Sequence, residues 1–392
     1  MTICDLTQFY SPVGGGVRRY LSEKTKHLNA RGDRHILIVP GEKTECQHQG
    51  LYTVYSIESP LVSRTARYRI LTNLNLIEEI LEREKPDLIE SGDPYQIAWK
   101  AIASGRGLHI PVVGFYHSHF PEAIIRSTVK YFGGTSVLIA EDFARRYLVS
   151  LYNRFARTLV PHPGLAALLT EWGVENATTL ELGMNHHLFY PHQERGEKMR
   201  SSIDFEQERQ LLLYIGRLSP EKNVRLLLET FAHLHERYPG RYHLLVVGDG
   251  TLRPLLQRFQ ESTGEISWRP YCQDPEELAD YYRAADLFIH PAIHETFGLV
   301  TLESQGCGTP VIGVRGSNMD RIVFSGIELW AREQTKVALA ASIFEASELL
   351  REGKLDHQIA KAASYIRDNY GWNRVFERLF AIYENVILAY NT

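Results

Sequence analysis

Residues 211–247 read LLLYIGRLSPEKNVRLLLETFAHLHERYPGRYHLLVV, and this stretch decides the fold class. Two apolar runs, Leu211–Ile215 and His243–Val247, have the length and composition of buried strands. Between them, Val224–Tyr238 has apolar residues at helical spacing. A strand, a helix and a second strand in this order predict parallel strands joined by a helical crossover. The stretch therefore favours a doubly wound α/β fold.

The same alternation extends through most of the chain. Further strands are predicted at His35–Val39, Leu51–Ile57, Asp87–Glu90, Pro111–Tyr116, Thr158–Val160, Leu287–His290 and Pro310–Gly313, and further helices at Val17–Ala30, Thr72–Arg83, Phe143–Phe155, Leu252–Ser262, Glu276–Ala284, Leu299–Cys307 and in the tail from Leu339. Residues 191–210 are polar with little periodicity, so we interpret them as a linker. The sequence predicts two α/β domains, residues 1–190 and 191–369, facing each other across a ligand-binding cleft.

Composition and charge exclude several classes of protein. The 392 residues are 44% hydrophobic and 23% charged, as in an ordinary globular chain of more than one domain. The net charge of -4 argues against nucleic acid as a partner. No apolar run approaches the roughly 18 residues of a membrane span, and the first residues lack the layout of a signal peptide. Four scattered cysteines indicate reduced thiols, so we expect a cytoplasmic protein.

One region, residues 120–160, carries more basic than acidic side chains. The basic ones are Arg126, Lys130, Arg145, Arg146, Arg154 and Arg157. A basic and partly apolar helix can lie on an anionic membrane surface, and a solvated helix face has the same composition. Both interpretations stay open, the first being peripheral contact with the inner face of the membrane.

The segment HETFGLVTLESQGCGTP, residues 294–310, follows an apolar strand and leads into a helix. Phe297, Gly298 and Leu299 lie where the helix starts, and amides at a helix start favour a phosphate. Glu295 lies just before the helix and Glu303 about one and a half turns into it. A carboxylate accepts two hydrogen bonds from a vicinal diol, which suits a sugar or a ribose.

A second segment, GRLSPEKN at residues 216–223, follows the strand Leu211–Ile215. Arg217 and Lys222 are therefore expected at the carboxyl edge of the sheet, where ligands bind in open α/β folds. Two cations placed there stabilise the negative charge of a leaving diphosphate. No Asp-x-Asp pair occurs in the chain, so we expect no metal and no cofactor other than a donor substrate.

The first half offers weaker candidates. The loop Gly14–Gly16 is a flexible turn or a loop that approaches a phosphate. His117 and His119 follow a predicted strand, where histidines orient hydroxyls or exchange protons near neutral pH. Only one of the two is expected to act in the cleft. Asp93 contacts an acceptor or forms an Asp-Pro turn.

Taken together, these strings resemble family 4 of the glycosyltransferases. Residues 294–311 are similar to the E-x7-E donor signature of that family, and residues 216–223 to its diphosphate loop. The string VVGFYHS, residues 112–118, resembles the segment that carries the active-site histidine. The resemblance covers nearly the whole chain, with its most specific motifs in residues 211–313.

The resemblance implies a GT-B fold, with an N-terminal acceptor domain and a C-terminal donor domain. A final helix from about residue 370 would return to the first domain. The implied activity is metal-independent, retaining transfer of a hexose, mannose or glucose favoured, from a nucleotide-diphosphate sugar to a lipid or glycan hydroxyl. A GT-B phosphorylase or epimerase and a non-catalytic nucleotide-sugar sensor are the alternatives.

Site residues follow from the same resemblance. It implies catalytic roles for His117 and Glu295, the latter holding the sugar. The implied donor contacts are Gly15, Gly16, Arg217, Lys222, Phe297, Gly298, Leu299 and Glu303, the last on the ribose. His119 and Asp93 are the candidates for contact with the acceptor.

Overall fold

A computed structural model describes residues 1–8, 10, 15–63, 68–117, 134–293, 295, 297–317 and 319–392. The chain divides into two compact units, one formed by Met1–Leu182 with Asn373–Thr392 and the other by Gly183–Trp372. Each unit contains its own largely parallel sheet, which confirms the predicted α/β class. In the described part of the chain, none of the helices is long and apolar enough to cross a membrane.

The first unit is built on an eight-stranded sheet. Its elements are β1 (Thr2–Leu6), α1 (Gly16–Ala30), β2 (Arg34–Gly41), β3 (Glu45–Gln49), β4 (Tyr52–Glu58), β5 (Leu61–Ser63), β6 (Tyr68–Arg69), α2 (Leu74–Glu84), β7 (Leu88–Ser91), α3 (Gln96–Leu108), β8 (Val112–Phe115), α4 (Gly134–Tyr152), β9 (Arg157–Val160), α5 (Pro163–Trp172) and β10 (Ala177–Thr179). The strand order is β10-β9-β8-β7-β1-β2-β4-β3, and β5 and β6 form a separate antiparallel pair. Within the large sheet every pairing is parallel except β3 with β4.

The second unit is built on a five-stranded parallel sheet. Its elements are α6 (Gln193–Ser201), β11 (Gln210–Ile215), α7 (Val224–Arg237), β12 (Tyr242–Val247), α8 (Arg253–Thr263), β13 (Ile266–Arg269), α9 (Pro275–Ala284), β14 (Leu287–His290), α10 (Leu299–Gly306), β15 (Val311–Gly313), α11 (Lys336–Arg351) and α12 (Asp356–Asn369). The strand order is β13-β12-β11-β14-β15. The last helix, α13 (Trp372–Asn391), groups with the first unit from Asn373 onward.

Each sheet has one point at which the winding of the chain reverses. In the first sheet it lies between β1 and β7, and in the second between β11 and β14. Loops leave adjacent parallel strands in opposite directions at such a point, which opens a crevice at the carboxyl ends of the two strands. Ligands of doubly wound folds bind in this crevice, so these four strand ends locate the candidate sites.

The predicted linker at residues 191–210 is wrong, because this stretch belongs to the second unit and contains α6. Gly196 is the one buried residue of that helix, so α6 lacks the apolar stripe by which helices are recognised in a sequence. Polar contacts hold it on α9 instead, with Arg195 Nε 2.8 Å from Asp280 Oδ1. The backbones also approach closely, since a Cβ on Gly196 would lie 2.6 Å from the Arg283 carbonyl oxygen.

The C-terminal helix α13 packs against α1 in the first unit. His27 Nε2 lies 2.7 Å from Asn373 Oδ1, and Arg31 donates to Glu384 over 2.8 Å. The buried Phe376 ring contacts the His27 ring at a centroid distance of 4.7 Å, with the ring planes tilted by 40°. The core of the first unit therefore includes residues from both ends of the chain.

Candidate functional site

The candidate donor site of the second unit lies at its reversal point. Strands β11 and β14 pair in parallel, with Leu212 opposite Leu287. Arg217 and Lys222 follow β11, and Glu295 follows β14. The two loops consequently start at the same edge of the sheet, where ligands bind in this class of fold.

Lys222 and Glu295 form an ion pair between these two loops. Their side chains remain 30% and 21% exposed, so both can meet a ligand without a large rearrangement. Arg217 lies 3.7 Å from Glu221 and is 41% exposed. The structure thus brings two cations and one predicted sugar-binding carboxylate to one edge of the sheet.

Close backbone packing fixes the loop that carries Arg217. The Leu218 amide donates to the Asp249 carbonyl over 3.0 Å, and the Gly216 amide to the Val247 carbonyl over 3.0 Å. A Cβ on Gly248 would overlap the Gly216 carbonyl oxygen. The turn after β12, which has no decisive meaning in sequence, is therefore a support for the turn after β11.

The start of α10 depends on Gly298. Gly298 precedes the helix with φ of 80°, in the left-handed region that side chains disfavour. A Cβ there would also overlap Met319 Sδ. The preceding Phe297 is buried beneath the Arg321 guanidinium, 5.1 Å from its ring centroid, and Leu299 is buried as the first helical residue. The side chains of these residues shape the helix start by packing. The backbone amides at the helix start are the groups that can bind an anion.

Glu303 is completely buried in α10. The Tyr282 hydroxyl donates to Glu303 Oε2 over 3.3 Å. Glu295, on the loop before the helix, is partly exposed. The two glutamates of the predicted signature thus differ in environment, one near solvent and paired with a cation, the other inside the protein.

Two residues near this site escaped the sequence analysis as site candidates. His290, the last residue of β14, is 4% exposed, and burial lowers the pKa of its imidazole to about 4. Asn223 follows Lys222, and its side-chain amide donates to the Pro291 carbonyl over 3.0 Å. A buried histidine ending an apolar strand and an asparagine at a helix start are frequent in proteins, so neither carries a distinctive signal.

In the first unit, Asp93 follows β7 and ties the two central strands together. Its Oδ2 accepts hydrogen bonds from Thr7 Oγ1 over 3.0 Å and from the Gln8 amide over 2.5 Å. The side chain is 4% exposed. These contacts support the structural interpretation of Asp93 as a turn residue, and its contact with an acceptor stays a prediction.

His117 follows β8 and packs between aromatic rings. Its ring centroid lies 3.9 Å from that of Phe115 and 5.2 Å from that of Tyr20. The residue keeps some contact with solvent, yet burial of the imidazole lowers the pKa of His117 to about 3. The side chain is therefore neutral at physiological pH, which suits hydrogen bonding to a hydroxyl better than proton donation. His119 lies outside the described residues.

Gly15 precedes α1 with φ of 127°, a value that favours glycine, and Gly16 is the first residue of the helix. A Cβ on Gly15 would meet nothing within 4 Å. Both glycines are exposed. The helix start beside them is thus accessible, while residues 11–14 of the same loop lie outside the described residues.

A buried ionic network lies behind the first-unit candidates. Lys24 Nζ donates to Asp5 Oδ1 over 2.8 Å and lies 3.3 Å from Glu90 Oε1. Glu90 also accepts from the Tyr20 hydroxyl over 3.2 Å and from the Tyr383 hydroxyl of α13. Burial raises the pKa of Glu90 to about 7, with Lys24 opposing and Asp5 reinforcing the shift. The sequence analysis missed this network, whose members are far apart along the chain.

Metal ligation has no candidate among the residues that the structure describes. No group of three or more histidine, cysteine, aspartate or glutamate side chains is arranged to hold an ion there. Independence from metals is accordingly still a prediction.

Two family profiles match consecutive parts of the chain. The profile described as Glycosyltransferase Family 4 matches residues 14–188, and that described as Glycosyl transferases group 1 matches residues 196–364. A GDP-mannose-dependent alpha-mannosyltransferase of Corynebacterium glutamicum is 25% identical, over 99% of this chain and 89% of the relative. A GDP-mannose-dependent alpha-(1-6)-phosphatidylinositol dimannoside mannosyltransferase of Mycobacterium tuberculosis is 29% identical, over 82% of each chain.

Solved structures with the same fold include the sucrose-phosphate synthase from Thermosynechococcus elongatus. It superposes with a TM-score of 0.76 over 99% of both chains, at 18% sequence identity. At this level of identity the similarity defines the fold.

Proposed function

The chain belongs to the group 1, family 4 glycosyltransferases with the GT-B fold, and is a hexosyltransferase that uses a nucleotide sugar. From this we propose that it transfers mannose from GDP-mannose to a hydroxyl group of a lipid or glycan, with retention of configuration. Both relatives described above are named as GDP-mannose-dependent mannosyltransferases, and this supports the choice of donor. The observation that carries the proposal is the meeting of Arg217, Lys222 and Glu295 at the reversal point of the second sheet.

The diphosphate of the donor lies against the two cations. As the bond from the sugar to the phosphate breaks, charge builds on the diphosphate, and preorganised cations stabilise it. Arg217 offers a planar fork and Lys222 a point charge, and the amides at the start of α10 add a third source of positive potential. Gly15 and Gly16, at the exposed start of α1, stay predicted phosphate contacts. No metal is needed in this arrangement.

The two glutamates separate the sugar from the nucleotide. Glu295, partly exposed beside Lys222, accepts hydrogen bonds from sugar hydroxyls. Glu303 is the proposed ribose contact, and because its side chain is completely buried, that contact requires a local movement that exposes the carboxylate; the Tyr282 hydroxyl donates to its Oε2. Phe297, Gly298 and Leu299 keep the intervening helix start in place.

Retention follows from attack on the face from which the diphosphate departs. The acceptor oxygen forms a bond to the anomeric carbon while the bond to the diphosphate breaks, and the departing phosphate oxygen takes the acceptor proton. Neutral His117 orients a sugar or acceptor hydroxyl by hydrogen bonding, since the low pKa of its imidazole makes it a poor acid.

A lipid acceptor would bring the protein to a membrane surface. On α4 the apolar side chains of Ile139 and Phe143 are 72% and 67% exposed. They are four residues apart and therefore share one helix face, with Arg146 79% exposed nearby. These exposures support peripheral contact through residues 120–160, of which 120–133 lie outside the described residues. Flotation with anionic vesicles tests the contact, and the double variant Ile139→Ser/Phe143→Ser should float less than wild type. Equal flotation of the two proteins would contradict membrane contact through this helix face.

Transfer is tested by incubating the protein with GDP-mannose, UDP-glucose or ADP-glucose, with and without lipid extract, in the presence and absence of EDTA. We expect GDP release that depends on the lipid extract, resists EDTA and yields an α-linked product by NMR. The variant Lys222→Met should lose about 100- to 1,000-fold in kcat/KM. Arg225→Met, at an exposed position of α7, serves as the control.

The same assay separates the alternatives. Phosphate-dependent release of sugar phosphate identifies a phosphorylase, and an isomerised donor identifies an epimerase. Tight donor binding without turnover for any acceptor identifies a sensor. Any of these three outcomes overturns the proposal.

A further inference from the structure

Lys222 and Glu295 form an ion pair between two loops that leave adjacent strands of the sheet. One loop follows β11 and the other follows β14, and the ion pair itself is made by two flexible, partly exposed side chains. An ion pair of that kind holds its partners loosely, since both side chains lose rotamer freedom in forming it. The distance between the loops therefore needs a second determinant.

Asn223 is placed to provide it. Its side-chain amide crosses from the first loop to the second and donates to the Pro291 carbonyl over 3.0 Å. Pro291 follows the last residue of β14, four positions before Glu295, and Asn223 directly follows Lys222. The crosslink is thus short in sequence on both sides of the ion pair. It also provides a buried carbonyl oxygen with a donor.

The backbone of Asn223 narrows the choice of residue further. Its φ of 56° and ψ of 32° lie in the left-handed region, which glycine, asparagine and aspartate adopt most readily. Its amide closes the turn over 3.0 Å to the Pro220 carbonyl, and its carbonyl accepts the Leu227 amide over 3.3 Å at the start of α7. Of the three tolerant residues, only asparagine also has an amide to donate to Pro291.

We propose that Asn223 is a positioning residue for the donor diphosphate. It holds Lys222 close enough to Glu295 that the lysine can exchange its ion pair with the carboxylate for a contact with a phosphate of the donor. The inference rests on the proposed function and adds a residue to it. Asn223 acts through Lys222 and does not itself touch the reacting atoms. Without the Asn223 side chain, Lys222 is still present, but the ammonium group is no longer held in one position.

Three variants separate the backbone from the crosslink. Asn223→Gly keeps the left-handed turn and removes the amide. Asn223→Asp keeps the turn and sets a carboxylate oxygen against a carbonyl oxygen. His109→Gly is the matched control, because His109 is an exposed residue of the first unit with φ of 58°. It reports what any exchange of a left-handed residue for glycine does to the protein.

The test compares the dissociation constants of GDP and guanosine by calorimetry, with UDP and ADP and their nucleosides as further pairs. Because only the diphosphate meets Lys222, Asn223→Gly should weaken GDP about five- to twentyfold and change guanosine less than about twofold. Asn223→Asp should weaken GDP more, since it adds a negative charge. His109→Gly should alter neither ligand.

A double-mutant cycle with Lys222→Met decides how Asn223 acts. If Asn223 works through the lysine, the double variant binds GDP no more weakly than Lys222→Met alone. Additive losses, or an unchanged ratio of the GDP and guanosine constants in Asn223→Gly, overturn the inference while leaving the proposed function intact. Failure of wild type to bind any of the three diphosphates overturns both.

Discussion

At the scale of single residues, His117 shows how packing decides what a side chain can do. The low pKa of its imidazole means that the unfolded chain binds the proton more tightly than the folded one. The contribution of His117 to the free energy of unfolding is thus present above pH 6.5 and is lost as the pH falls towards 3. We expect its imidazole resonances in NMR to stay constant between pH 5 and 8. His117→Gln should also lose less unfolding free energy than wild type on acidification from pH 7 to 4.5. An NMR titration of the His117 imidazole with its midpoint near pH 6.5 would contradict this account.

The candidate donor residues differ in how far the sequence could predict them. Arg217, Lys222 and Glu295 belong to strings with a recognisable spacing, and the structure brings them to one sheet edge. Asn223 and His290 were not singled out, because their contacts are made across loops. A single hydrogen bond between residues 223 and 291 leaves no periodic pattern in a sequence.

At the scale of elements, the start of α10 depends on a glycine for two separate reasons. Gly298 has a positive φ, and a side chain there would collide with Met319. Gly298→Ala should therefore lower the melting temperature and weaken GDP binding, since the helix start is the proposed phosphate contact. Gly240→Ala is the control for strain alone, having φ of 72° and nothing within 4 Å of the added Cβ. Adding Met319→Ala should restore part of the stability of Gly298→Ala, and absence of any rescue would refute the steric explanation.

The helix α13 is joined to the first unit by a buried hydrogen bond from Tyr383 to Glu90. Since burial raises the pKa of Glu90 to about 7, its contribution to stability is present below pH 4.5 and is lost as the pH rises to 7. Tyr383→Phe removes a donor that lowers this pKa, and should cost about 1.5–3 kcal/mol of unfolding free energy near neutral pH. Glu90→Gln removes this titration, so the unfolding free energy of wild type minus that of Glu90→Gln should fall as the pH rises from 4.5 to 7. The opposite contribution of His117 in the same pH range cancels in this difference.

Tyr390→Phe, on the same helix at 43% exposure, is the control for this pair of variants. The measurement is denaturant unfolding at a series of pH values. Asp5 does not interfere in this window. Burial raises the pKa of Asp5, but Lys24 and His35 lower it by more. The contribution of Asp5 to the free energy of unfolding therefore changes only below about pH 4. Parallel pH profiles for wild type and Glu90→Gln would exclude Glu90 as the titrating group.

At the scale of the whole molecule, the sequence predicted the α/β class and most central strands, and missed elements that polar contacts stabilise. Strand β1 contains buried Asp5, which is tolerated because Lys24 and His35 pair with it. Strand β13, with the sequence ISWR, is too short and polar to form an apolar run. Helix α6 lacks an apolar face. In each case the stabilising partner is distant in sequence, so a local pattern could not reveal it.

The two units also differ in how they use the chain. The second is one continuous segment, Gly183–Trp372, and contains the candidate donor residues from Arg217 to Glu303. The first includes α13, whose residues Phe376, Leu379 and Tyr383 are fully buried. Burying such side chains contributes about 1.5–3 kcal/mol each, so their sum is comparable with the roughly 5–15 kcal/mol that stabilises a whole domain.

We therefore expect the fragment 183–372 to unfold cooperatively and to bind GDP without transferring sugar. The fragment 1–182 should show no cooperative transition by circular dichroism. Joining it to 373–392 through a short flexible linker should restore a cooperative transition. A short linker suffices because the chain leaves the first unit and returns to it at adjacent places, where the Met184 amide donates to the Tyr370 carbonyl over 2.7 Å. A cooperative transition in 1–182 alone would show that α13 is dispensable for the first unit. Loss of GDP binding in a folded 183–372 would show that the second unit alone does not suffice to bind the nucleotide.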